Sequence, residues 1–136
     1  MPTITVERTI GTTKKAVLAG LAGYNHEHMG TQRLKGVAVS LKDRGKIVGG
    51  VVGQIWTTVL FIQYFWIEQM HRGQGHGTKL IAAIEDEARR IGAIRSHVDT
   101  MNFQAPGFYR SCGYEEFGVI DGYPGGVTRH SFTKSL

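Results

Sequence analysis

A nearly continuous apolar run, TVLFIQYFWI at 58–67, is followed by HRGQGHGTKL at 71–80, where Gly73, Gly75 and Gly77 crowd into five positions. Helix-forming sequence begins at once beyond them. Each glycine costs on the order of 1 kcal/mol of extra ordering relative to alanine, so the segment must need bare backbone. A helix N-terminus presents unpaired N–H groups and the positive end of the helix dipole. Glycines just before it let those donors close around phosphate oxygens. An apolar strand, a glycine loop and an amphipathic helix therefore commit the chain to an α/β fold with an anion site at the strand-to-helix joint.

Three anion-loop patterns compete for this stretch. The nucleoside-triphosphate loop needs G-x-x-x-x-G-K-[ST], and here Gly77 is followed by Thr78-Lys79, which breaks the order. The dinucleotide fingerprint needs G-x-G-x-x-G, while the spacing from Gly73 is G-x-G-x-G. Asp99 follows about 20 residues on, as that fold requires, but too little chain remains to complete one. The third pattern, [QR]-x-x-G-x-[GA], is matched in full by Arg72-Gly73-Gln74-Gly75-His76-Gly77. A second motif, N-x-x-A-x-x-x-Y-x-x-x-G-[YF], is matched by Asn102, Ala105, Tyr109, Gly113 and Tyr114. On these two motifs, in this order, the chain resembles the GNAT superfamily of N-acetyltransferases over nearly its whole length.

The resemblance implies a single domain over residues 1–136, of α/β (α+β) type, with a central mixed, mostly antiparallel sheet flanked by helices. Two central strands splay apart, and the pantetheine of acetyl-CoA lies in the gap. Phe65, Trp66 and Ile67 would meet it along the exposed strand edge. Arg72, Gly73, Gln74, Gly75, His76, Gly77 and Thr78 would hold the pyrophosphate. Asn102 would meet the pantetheine arm or nearby backbone, and Tyr109 would lie close to the cofactor sulfur.

Acetyl transfer to an amine needs a neutral nitrogen, a polarised thioester and a protonated leaving thiolate. A phenol near pKa 10 can protonate a thiolate whose acid lies near 8.5 in good geometry, which makes Tyr109 the expected acid. A tyrosine packed in the core is the plainer reading of that position. Glu68, at the strand end, is the expected base, set against a solvated carboxylate at a loop edge. Glu27, His26 and His28 are the alternatives, because the family's first helical region lines its acceptor pocket. Cys112 could carry an acetyl group, but a small packing residue is the commoner role, so direct transfer in a ternary complex is expected. The His-Glu-His run at 26–28 lacks a partner cluster at metal-ligand spacing, and no metal is expected.

Elsewhere the elements read as follows. TITVER at 3–8 alternates like a first strand. Val17, Leu18, Leu21 and Tyr24 mark a helix that loosens near the two histidines. GVAVSLKDRGKIVGGVVGQIW reads as a hairpin turning at Asp43-Arg44-Gly45. The run at 58–67 is expected to be buried on both faces. Glycines 49, 50 and 53 suggest close strand packing, or a bulge or ligand approach, and Trp56, Phe61 and Trp66 core or pocket wall. Leu80, Ile81, Ile84, Ala88 and Ile91 give the helix after the glycines. Glu85–Arg89 and Asp86–Arg90 are its expected surface pairs and Gly92 its stop. IRSHVDT, YEEFGVI and TRHSFTKSL are further strands, and Pro106 opens a short helix.

Composition narrows the partners. The 136 residues carry a net charge of +5 and one cysteine, which favours an anionic ligand and excludes an internal disulfide. The basic residues are scattered rather than massed, so a phosphate-bearing cofactor is expected and nucleic acid is not. No apolar run is long enough for a membrane span, and no signal peptide is evident, which together point to the cytoplasm. The expected activity is acetyl-CoA-dependent acetylation of a primary amine on a small molecule or peptide, with a homodimer compatible. A catalytically inactive acyl-CoA-binding or sensing module is the alternative.

Overall fold

The computed structural model describes residues 1–136. The chain forms two compact units, residues 1–32 and 33–136. The first contains one helix, α1 (Gly11–Met29), which runs through the histidines expected to loosen it. None of its residues is buried. The strand expected at 3–8 does not form. Alternation gives a strand two faces but no ladder partner, and Ile4 and Val6 stay fully in solvent.

The second unit is a six-stranded sheet in the order β1-β2-β3-β4-β6-β5. Its strands are β1 (Leu34–Asp43), β2 (Lys46–Trp56), β3 (Val59–Ile67), β4 (Arg95–Met101), β5 (Glu115–Ile120) and β6 (Arg129–Ser135). Helix α2 (His76–Ile91) joins β3 to β4, and the short α3 (Pro106–Ser111) follows β4. Only β3 and β4 pair in parallel, and every other pair is antiparallel. The β1–β2 hairpin turns on Arg44 (φ 50°) and Gly45 (φ 79°), the two left-handed residues of the tight connection its sequence calls for.

Helix α2 lays Leu80, Ile81, Ile84 and Ala88 on β1, β2 and β3. With Val51, Ile55, Leu60, Ile62, Val98 and Phe132 they form the core. Gly53 lets the helix-side packing close, since a Cβ there would meet Leu60 at 2.9 Å and Ile84 at 3.3 Å. The β2–β3 register also shifts beside it, between Val52 and Gly53.

Three expectations are corrected. β3 is not buried on both faces: Leu60 and Ile62 are buried, whereas Tyr64 and Trp66 are 71% and 55% exposed. Only its first half has strands on both sides. The charges at 85–90 are not uniformly solvated, because Glu85 is buried. The surface pairs run i to i+3 instead, Asp86–Arg89 and Glu87–Arg90. No helix is long and apolar enough to cross a membrane.

Candidate functional site

The parallel β3–β4 ladder extends only from Val59/Arg95 to Ile62/Val98. Beyond it β3 continues to Ile67 and β4 to Met101, so the two strands diverge and leave facing edges unpaired. The gap holds a cavity of about 860 Å³. The second half of β3 and residues 98–100 of β4 wall it, with Arg72 at one end and Phe103, Gln104, Ala105 and Tyr109 closing over from the α3 side. The splayed strands expected from the sequence are thus present and enclose a volume suited to a ligand.

At the mouth of this cavity the chain turns into α2. Gly73 (φ 72°) and Gly75 (φ 83°) adopt the left-handed conformation that a side chain resists, and Gly75 is the N-cap of α2. The helix start has no side-chain cap and no acidic residue in its first turn. Its first amides therefore have no side-chain acceptor at the cap position. Gly77 serves a different end. A Cβ there would meet the Phe108 ring at 3.2 Å and Phe65 at 3.3 Å, so the bare backbone lets α2 press against the cleft wall. Arg72 donates from Nε to the Ile67 carbonyl at 2.7 Å, and Gln74 donates to the Met70 carbonyl at 3.0 Å. Both fasten the loop to the end of β3.

Tyr109 points its ring into the aromatic group formed by Phe65, Phe108, Tyr114 and Phe132. It is 4% exposed and lines the cavity. Burial, with the nearby Cys112 thiol second, pushes its phenol up to about 12. Burial likewise raises the Cys112 thiol.

The predicted residues do not all converge. Phe65, Trp66, Ile67, Arg72 and Tyr109 share the cavity. Glu68 is half-buried directly after that wall, its backbone N–H donating to Val48 at 2.8 Å, and it is not among the cavity's lining residues. Asn102 accepts at Oδ1 from the Thr128 N–H at 3.3 Å, while its own N–H donates to the Thr128 carbonyl at 2.9 Å. It therefore holds the Thr128 backbone, and it is not among the cavity's lining residues. His26, Glu27 and His28 occupy the last turns of α1 in the first unit.

Sequence reading missed Asp99 as a member of this cavity. Its carboxylate accepts from Ser131 at 2.6 Å, from Arg129 at 2.7 and 3.2 Å, and lies 3.1 Å from His97 Nε2. Burial works to raise its pKa, but the bonds from Ser131, Arg129 and His97 outweigh it and hold the carboxyl below the usual range. Two of these partners, Arg129 and Ser131, lie some 30 residues away, so no local pattern marks the site. Gln104 was missed as well: its Oε1 accepts from the Met101 N–H at 2.8 Å and shapes the turn into α3.

Residues 14–114 match the acetyltransferase (GNAT) family. Over 95 residues the chain is 42% identical to the blasticidin-S acetyltransferase of Streptomyces morookaense, covering 69% of this chain and 70% of that one. It is 31% identical over 108 residues to an acetyltransferase of Agrobacterium fabrum, covering 79% of each. A crystal structure of an acetyltransferase from Bacillus cereus shares the fold across 98% of both chains, with a TM-score of 0.88 at 31% identity.

Proposed function

The chain belongs to the GNAT family of acetyltransferases, and on that footing we propose that it transfers the acetyl group of acetyl-CoA to a primary amine on a small molecule. The observation that carries the reading is the splay of β3 from β4, with an open helix N-terminus at its mouth and a buried phenol over its floor. The blasticidin-S acetyltransferase among the relatives favours a small-molecule acceptor. The free Cys112 suits a reducing cytoplasm.

The residues fit the coenzyme. The amides of α2's first turn and of Gly73–Gly77 would take the pyrophosphate, aided by Arg72. The free edge of β3 at Phe65, Trp66 and Ile67 would take the amide-bearing pantetheine as an added strand would be taken. Acetyl-CoA, when bound, supplies an activated thioester for direct transfer in a ternary complex.

Tyr109 holds a proton inside the cleft. At about 12, its phenol lies roughly 3–4 units above an ordinary thiol, about 5 kcal/mol uphill for full transfer. The same burial raises a thiol, as it does Cys112, and narrows that gap. Tyr109 would thus serve first as a hydrogen-bond donor to the leaving sulfur and then as the source of the proton that makes it a thiol. Glu68 accepts the amine's proton through water, because it adjoins the cleft wall without lining it. Asp99 is unsuited to that task, since both its oxygens are already engaged.

The test is acetyl-CoA-dependent release of CoA across a panel of small-molecule amines, with wild type, Tyr109→Phe and Glu68→Gln compared. Release with one acceptor class is expected, falling about 10²–10⁴-fold in Tyr109→Phe with acetyl-CoA affinity retained. A Tyr109→Phe enzyme of full activity would remove the acid. A Glu68→Gln pH–rate profile identical to wild type would remove the base.

A further inference from the structure

A second concavity lies at the opposite end of the β2–β3 hairpin from the cleft. It encloses about 420 Å³ and is lined by Arg33, Lys35, Ile55, Thr57, Arg90 and Ile91. Three of these six are cations, contributed by the approach to β1, by β1 itself and by the end of α2. Arg90 is engaged: its Nε and Nη2 donate to Glu87 at 2.9 and 2.5 Å. That bond, helped by the charges of Arg90 and Lys35, holds the Glu87 carboxyl below its usual range against the opposing effect of burial.

Arg33 and Lys35 are different. Neither side chain makes a hydrogen bond or ion pair within the protein. Nor do they serve the carbonyl end of α2, whose Ala88 and Arg89 carbonyls already accept from the Gly92 and Ala93 amides. Counting Arg33, Lys35 and Arg90 against Glu87 leaves two positive charges in excess around one hollow. Glu87, which feels the charge of Lys35 as well as that of Arg90, offsets only part of the repulsion between them.

The β2–β3 turn adds a second, independent observation. Thr57 has φ 53°, in the left-handed region where a β-branched residue is strained and glycine is not. Its Oγ1 accepts from the Thr58 N–H at 2.7 Å, which leaves the hydroxyl hydrogen free to donate. A residue type that costs the turn in conformation and offers a donor to a cationic hollow suggests a ligand-facing role.

We propose that this hollow is a second anion site, taking a compact dianionic oxyanion of the phosphate-monoester class. Arg33 supplies a planar fork of donors, Lys35 a point charge, and Thr57 a neutral donor that fixes orientation. Ile55 and Ile91 form the apolar wall that keeps the anion's bonds partly out of water. The site is separate from the coenzyme cleft and does not depend on the acetyl-transfer reading.

Inorganic phosphate is the probe, titrated into the full chain at constant ionic strength against a chloride control and followed by amide ¹H–¹⁵N spectra. The expected result is saturable shifts at Arg33, Lys35, Thr57 and Thr58. An Arg33→Gln/Lys35→Gln variant, altered only at exposed side chains, weakens the apparent affinity there by about tenfold or more. Lys35→Glu gives the same loss through a single charge reversal. Arg72→Gln, at the other end of the hairpin, leaves the shifts in place. Three results would each overturn the proposal: shifts confined to residues 72–78, shifts at Thr57 reproduced by chloride, or saturable shifts unchanged in the double variant.

Discussion

Tyr109 and Tyr114 belong to the same sequence motif, and both phenols are buried, yet they are held in different ways. The Tyr114 hydroxyl donates to Glu85 Oε2 at 2.7 Å and lies 2.8 Å from Ser96 Oγ, so its proton is committed to structure. Tyr109 has ring contacts but no such carboxylate, and it is one of the residues that line the cavity. This contrast separates a structural phenol from one available to a ligand. Both are raised chiefly by burial, Tyr109 to about 12. A phenol whose folded pKa exceeds its unfolded value stabilises the fold fully below pH 10. That stability is lost as pH climbs through the folded pKa, because the unfolded chain releases its proton first. For Tyr109 the window is pH 10 to 12, and the loss is about 2–3 kcal/mol. Thermal unfolding scanned from pH 8 to 11.5 is expected to fall steeply above pH 10 in wild type and less steeply in Tyr109→Phe, which keeps only the Tyr114 contribution. Equal slopes would mean that Tyr109 ionises as freely in the fold as outside it.

Helix α2 shows how an element's sequence is legible in one respect and opaque in another. Its apolar spacing, its glycine entry and its Gly92 exit can all be read from local pattern, since each depends on neighbours within a turn or two. Glu85 cannot. It stands four residues before Arg89, as a surface pair should, but it accepts from Lys134 Nζ at 3.0 Å, 49 residues away. Lys134 also donates to the Cys112 carbonyl at 2.8 Å, so one ammonium ties α2, β6 and the end of α3 together. The same limit explains β3: an apolar run reports that a strand exists, whereas the exposure of Tyr64 and Trp66 depends on where β4 stops pairing. It also explains residues 3–8, whose alternation lacks a neighbouring strand. Within the site, the glycine loop and Tyr109 were legible because backbone conformation and motif spacing are local, while Asp99 and the Thr128-bonded role of Asn102 depend on β6 and the loop before it. Lys134→Met tests the tie. Removing it leaves the buried Glu85 carboxylate without its cation and is expected to cost about 3 kcal/mol, read as a fall in the denaturation midpoint. Arg89→Gln, which breaks only a surface pair, is expected to leave that midpoint nearly unchanged.

The net charge of +5 gains meaning in the second unit, where anion-directed features lie at both ends of the β2–β3 hairpin. At one end, Arg72 lines the cleft and an uncapped helix N-terminus follows it three residues on. At the other, Arg33 and Lys35 border a hollow, and their side chains make no hydrogen bond or ion pair within the protein. Between the ends runs the short β3–β4 ladder, paired for four residues and open for the rest. A ligand that fills the open half replaces the missing strand contacts and so stabilises the whole unit by mass action, by about 2.7 kcal/mol at a hundredfold excess over its dissociation constant. The two ends should respond separately. CoA at saturation is expected to slow amide hydrogen exchange along 63–67 and 73–78 beyond the global gain, and to leave 33–35 and 57–58 at the global level. Inorganic phosphate at the concentration that saturates the far hollow is expected to act locally at 33–35 and 57–58. Exchange measured with each ligand alone and with both together distinguishes two sites from one. Independent patterns that sum would assign the coenzyme to the splay and the oxyanion to the turn. No local protection by CoA along 63–67 would show that the coenzyme does not occupy the gap between β3 and β4.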